Sequence, residues 1–182
     1  MRPIHVWNLS NFSYIMFTQI VNGEIVSSIG QGALVFIGIC SMDNAKDMEY
    51  MVRKILSIRI FDDENEKKWK KSLVDNDFEV LCVSQFTLYN TWKGLKPDFH
   101  LAMPSEHSKE FYENFIEMLK SKYKPDKVKD GIFGAYMQVS LQNDGPVTLE
   151  LESPAQTEKT SKKNMSAHVN KTTEEAGDIA ER

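Results

Sequence analysis

Cysteine is scarce in this chain: there are two, Cys40 and Cys82, each inside an apolar run. Both read as small buried hydrophobes in a reducing compartment, not as reactive thiols, which need an electropositive and partly exposed setting. Long apolar runs are also missing. None approaches the ~18 residues that a membrane span requires, so no membrane partner is expected. Residues near the N-terminus include Arg2 but no uninterrupted apolar stretch followed by a small-residue cleavage site, which argues against a secretory signal. The expected location is cytoplasmic.

Histidine is sparse as well. His5, His100, His107 and His168 are the whole set, and no pair has a spacing that suggests zinc. No nucleophile elbow, CxxC, HExxH or glycine-rich phosphate loop occurs. No metal or cofactor is therefore expected, and standard hydrolase constellations are excluded. An excess of positive charge is lacking too, since the formal net charge is −4. Phosphate binding depends on local Lys and Arg, not on the total. Lys67, Lys68, Lys70 and Lys71 surround Trp69, either as a solvated turn or as a phosphate contact. Lys93 and Lys96 are the better candidates, because their loop leads out of the Ser84–Leu88 string.

What the chain does hold is an ordinary globular balance, 41% apolar and 26% charged over 182 residues, enough for one domain with a sizeable core. Asn22-Gly23 signals a hairpin between strands at Met16–Val21 and Glu24–Ile29. Gly30-Gln31-Gly32 turns the chain into Ala33–Ile39, an apolar run suited to a buried strand. Asp43 offers an N-cap for a helix whose Met48, Met51, Val52 and Ile55 fall on one face. Ser57–Phe61 reads as a strand, followed by a polar turn over Asp62–Glu66. A second helix is predicted over Ser105–Lys122, capped by Ser105, with Phe111, Phe115, Met118 and Leu119 on its buried face. Phe78–Leu88, Ala135–Gln142 and Val147–Leu151 have strand character. Short connections favour antiparallel pairing and an α+β domain with two flanking helices. The domain is expected to span residues 1–153. Residues 154–182 carry no aromatic side chain and are rich in Lys, Glu, Thr, Ser and Asn, so they read as a disordered polar tail.

Two strings carry the function: Ser84-Gln85-Phe86-Thr87-Leu88 and Asn143-Asp144-Gly145-Pro146-Val147-Thr148. With Val52–Leu56, Lys96–His100 and Phe133–Val139 they resemble, in order, the D-aminoacyl-tRNA deacylases, over roughly Asn22 to Pro154. The resemblance implies a barrel-like antiparallel fold, a homodimer, and hydrolysis of the ester in D-aminoacyl-tRNA, with glycyl-tRNA as a further substrate. Such an ester is already activated, so positioning and backbone N–H donors aimed at the oxyanion supply much of the catalysis. It implies a catalytic pocket at Ser84, Gln85, Phe86 and Thr87, and implicates the 2′-hydroxyl of the terminal adenosine in the reaction. Thr87 is either a nucleophile or base, or a bonded strand residue. Alternation along a strand would put Ser84, Phe86 and Leu88 on one face and Gln85 and Thr87 on the other, with Phe86 either core or pocket wall. Gly145-Pro146 would be trans by base expectation or a simple turn. The resemblance makes it a Gly–cis-Pro element that captures the substrate's amino group, rejects L-amino acids and reaches into the partner subunit. Phe133 and Met137 line the adenosine pocket or belong to the core, and Lys96 is assigned to substrate.

The resemblance fails at residues 1–21. The family's Gln-Arg-Val string would fall at Phe12, Ser13 and Tyr14, so the arginine that braces the Gly-Pro element is missing; Leu95 stands where the family often has Asn. A lost core strand would leave an unpaired edge. The rival to a hydrolase is thus a nucleic-acid-binding protein that keeps the fold but has lost catalysis.

Overall fold

Asn22 and Gly23 take positive φ, 53° and 86°, the backbone that a type I′ hairpin demands. They join β2 (Phe17–Val21) to β3 (Glu24–Ile29), as predicted. The computed structural model describes residues 3–8, 17–140 and 147–154. Gly145-Pro146, Phe12 to Tyr14 and the polar segment from residue 155 onward lie outside them.

The main sheet holds β1 (Pro3–Asn8), β4 (Gly32–Ile37), β5 (Glu79–Ser84), β8 (Val128–Asp130) and β10 (Val147–Glu152), in the order β10-β1-β4-β5-β8. This corrects two expectations. First, the sheet is mixed: β1 runs antiparallel to β4 and β10, but β4–β5 and β5–β8 are parallel. Parallel neighbours require a long crossover, and α1 (Ala45–Ser57) and α3 (Ser105–Lys122) lie in those two connections. Second, the divergent N-terminus leaves no gap. β1 pairs with β4 on one side and β10 on the other, so both would-be edges are covered.

The helices also depart from the predicted detail. Asn44, not Asp43, caps α1: its side chain accepts from Lys46 N, while Asp47 bonds back to Asn44 N. Asp43 instead accepts from Cys40 N at 2.8 Å. Ser57 ends the helix, and the predicted strand after it reduces to a single bridge between Phe61 and Lys71. Pro104 occupies the cap position of α3, with no side-chain cap bond. That helix buries Tyr112, Phe115, Ile116 and Leu119, so its inner face is rotated from the predicted stripe, leaving Phe111 and Met118 half-buried at its margin. A third helix, α2 (Leu73–Asn76), is too short to show periodicity and is fixed by a reciprocal Ser72–Asp75 cap. There are thus three α-helices among the described residues, not two.

Alternation along β4 and β5 splits the core. Ala33, Val35, Ile37, Val80 and Cys82 face α1 and α3. Leu34, Leu81 and Val83 point the other way, onto Ile29 and a second sheet of order β3-β2-β9, with β9 at Gln138–Ser140. Both cysteines are buried, as expected, and burial pushes the Cys82 thiol far up. β4 and β5 approach so closely that a Cβ on Gly32 would lie 1.8 Å from Glu79 O. Only glycine fits there.

Candidate active site

β5 ends at Ser84, where Gln85 N donates to Ile37 O at 2.8 Å. The chain then tightens into a 3₁₀ turn over Phe86–Leu88, with Leu88 N donating to Gln85 O (3.3 Å) and Tyr89 N to Phe86 O (3.0 Å). The strand alternation predicted for this string therefore fails from Gln85 onward. Asn90 Nδ2 donates to Thr87 O at 3.0 Å and pins the turn from outside. Tyr89 is buried and lines a recess with Ile37, Met48 and Ser153.

Inside the turn, Gln85 Nε2 donates to Thr87 Oγ1. An amide N–H holds the hydroxyl oxygen but cannot take its proton. No ionisable side chain bonds Thr87 among the described residues, so Thr87 has the geometry of a positioned polar group and lacks the paired base of an activated nucleophile. Phe86 is 58% exposed and meets Phe99 edge-on, with centroids 5.1 Å apart. It is a surface aromatic on the turn, not a core residue.

The turn continues into a two-stranded ribbon, β6 (Thr91–Lys93) and β7 (Lys96–Asp98), reversed at Gly94 with φ +65°. Lys96 is exposed on it. Asp98 anchors the ribbon: it pairs with Lys93, accepts from His100 N at 3.1 Å, and lies 3.2 Å from His100 Nδ1. The Lys93 ammonium, aided by the His100 donors, holds the Asp98 carboxyl at a pKa of about 2.

Phe133 and Met137 do not come together. Phe133 packs on the helix side, tilted against Tyr112 at 5.6 Å, and Tyr112 in turn donates to Cys82 O at 3.0 Å. Met137 packs on the opposite face of the sheet with Leu34, Leu81 and Val83. There it receives Gln19 Nε2. Gln19 is fully buried in β2, and its amide lies against Gly131, where a Cβ would sit 1.9 Å from Gln19 Oε1. Sequence reasoning missed this pair; the signal was a glutamine inside a strand, flanked by Phe17, Ile20 and Val21. No group of three metal-ligating side chains exists among the described residues.

With that geometry in place, the family model for D-Tyr-tRNA(Tyr) deacylase matches residues 18–152. The chain belongs to this deacylase family. It is 58% identical over 135 residues to mouse D-aminoacyl-tRNA deacylase 1, covering 74% of this chain but 65% of the mouse protein. The chain thus spans just under two thirds of that relative's length. Against D-aminoacyl-tRNA deacylase of Saccharomyces cerevisiae the identity is 46% over 135 residues, covering 74% of this chain and 90% of the yeast protein. A solved structure titled c-Myc DNA Unwinding Element Binding Protein is 52% identical, superposes with a TM-score of 0.79, and is covered to 99% by 84% of this chain. A second, described as a probable eukaryotic D-amino acid tRNA deacylase, is 18% identical with a TM-score of 0.69, over 83% of this chain and 98% of that one, and shares the fold. Within the deacylase-family region, the Ser84–Leu88 string is the end of β5 and the 3₁₀ turn just described, and the segment before residue 18 falls outside the match.

Proposed function

We propose that this chain hydrolyses the ester linking a D-amino acid to tRNA, releasing the amino acid and free tRNA. The observation that carries the reading is the intact Ser84–Leu88 turn at the end of β5, inside the region that matches the deacylase family. The tight turn at Phe86 and Thr87 puts backbone N–H groups beside an exposed aromatic, and such donors stabilise a developing oxyanion. Thr87, held by Gln85, orients substrate or water. Gly145-Pro146 forms a cis element whose carbonyls take the substrate's amino group and leave no room for an L side chain. Met137 flanks the terminal adenosine and Lys96 contacts the tRNA backbone, while Phe133, on the other face of the sheet, stays with the core. The working form is a cytoplasmic homodimer with a closed barrel, glycyl-tRNA is a secondary substrate, and the segment 154–182 is not needed for turnover.

Release of labelled amino acid from D- and L-aminoacyl-tRNA by the purified full chain tests this. D-specific release is the expected result, and Pro146→Ala should erase the D-over-L preference. Equal rates on both enantiomers, or no release at all, would refute the reading.

A second reading follows from the 52%-identical structure, whose title names a DNA-unwinding-element binding protein: a nucleic-acid-binding protein on the deacylase fold. Tight nucleic-acid binding without ester hydrolysis in the same assay would select it.

A further inference from the structure

The ribbon that leaves the Ser84–Leu88 turn has a surface that the ester chemistry does not use. Its register pairs Thr91 with Asp98, Trp92 with Pro97, and Lys93 with Lys96. Directly opposed residues share a face of a ribbon, so Trp92 and Pro97 lie on one face while Lys93, Lys96 and Asp98 lie on the other. Trp92 is 68% exposed and Leu95, at the tip, is fully exposed. A bare indole on a short ribbon contributes little to folding, since most of its apolar area remains in water.

The other face carries a second oddity. Lys93 and Lys96 are a like-charge pair directly across two strands, an arrangement that destabilises a sheet. Asp98 neutralises Lys93, which leaves the Lys96 charge facing outward at the same position. An anion lying along the ribbon edge would relieve that repulsion. An unpaired nucleic-acid strand offers both required chemistries: a base to stack on an indole and a phosphate to meet a lysine.

We propose that the Thr91–Asp98 ribbon is a binding platform for the unpaired 3′ strand of the substrate tRNA, which crosses the ribbon's edge so that Trp92 stacks on a base from one face and Lys96 takes a phosphate from the other. This rests on the deacylase reading, which brings a 3′-terminal acyl ester to the neighbouring turn. A strand whose last nucleotide sits at Ser84–Leu88 must pass out over whatever adjoins that turn. Only two residues, Tyr89 and Asn90, separate the turn from the start of the ribbon at Thr91.

The test uses the full chain and a stem-loop RNA ending in an unpaired 3′ CCA, with the blunt-ended stem as control. Stacking should quench the Trp92 share of the fluorescence, defined as the difference between the parent chain and Trp92→Phe, and the blunt stem should not. Trp92→Ala should weaken CCA binding by about tenfold, while Trp92→Phe keeps most of it. Lys96→Gln should lower the slope of log affinity against log salt by about 0.7. Unchanged affinity in Trp92→Ala would overturn the proposal, and so would a change of oligomeric state in that variant with RNA binding intact, which would give the face to a second copy of the chain. The two readings fail separately. Ester hydrolysis that is indifferent to Trp92 removes the platform and keeps the enzyme. CCA-dependent quenching in a chain that releases no amino acid keeps the platform and removes the enzyme.

Discussion

Thr87 is where mechanism comes down to one oxygen. Its hydroxyl accepts from the Gln85 amide, and an amide is no base, so removing the hydroxyl should cost orientation and not a covalent step. Thr87→Ala is expected to keep measurable turnover, within about a hundredfold of the parent, whereas loss of a true nucleophile costs several orders of magnitude. Single-turnover release of D-amino acid measures the difference, with tRNA binding as the check on folding. Gly32 is the matching case for stability. A methyl group there would meet Glu79 O at 1.8 Å, and a backbone carbonyl within a ladder cannot move aside. Gly32→Ala should therefore destabilise by at least about 2 kcal/mol, a loss of several degrees in Tm by thermal unfolding. The two residues differ in legibility. Thr87 stands in a string that resembles a family motif, so its place in a site could be read from sequence. Gly32 looks like any turn glycine until β5 is laid beside β4.

Among the elements, the ones written in local chemistry were readable. Asn22-Gly23 specifies its own hairpin, and the Met48–Ile55 spacing specifies the buried face of α1. What escaped was set by distant partners. The direction of β5 relative to β4 depends on α1 crossing between them, which no window of sequence displays. The 3₁₀ turn at Phe86–Leu88 interrupts an alternation that looked like continued strand, because the ladder partner β4 ends at Ile37. The β6–β7 ribbon allows an acid test. Asp98 holds Lys93 and both His100 donors, and its folded pKa of about 2 lies below the ordinary carboxylate value near 4. A depressed carboxylate pKa contributes stability that is complete above the unfolded value and lost as pH falls through the folded one. The ribbon should therefore loosen between about pH 4 and pH 2, read as a shift in Trp92 emission, and Asp98→Asn should show the loosened signal already at pH 7.

For the whole molecule, residues 3–8 matter out of proportion to their number. They lie between β4 and β10, so deleting residues 1–8 exposes two strand edges at once and should abolish the cooperative melting transition. Deleting residues 155–182, which lie beyond β10, should leave the midpoint unchanged. Equal midpoints for both truncations would show that β1 adds nothing. The fold class was legible because strand and helix patterns are local. The inner place that β1 fills in the sheet was not, because β1 shows no family string and is recognised only by its pairing. That placement also sets a timetable. β1 ends at Asn8, whereas β10 begins only at Val147. At about 5–20 residues per second, its antiparallel neighbour on that side arrives on the order of ten seconds later. Throughout that delay a strand with one half-made ladder waits in the nascent chain, and contacts of such long sequence separation are slow to close even when both ends exist. Yield in cells should thus depend on chaperone occupancy and on the pace of translation more than on the equilibrium stability of the finished sheet.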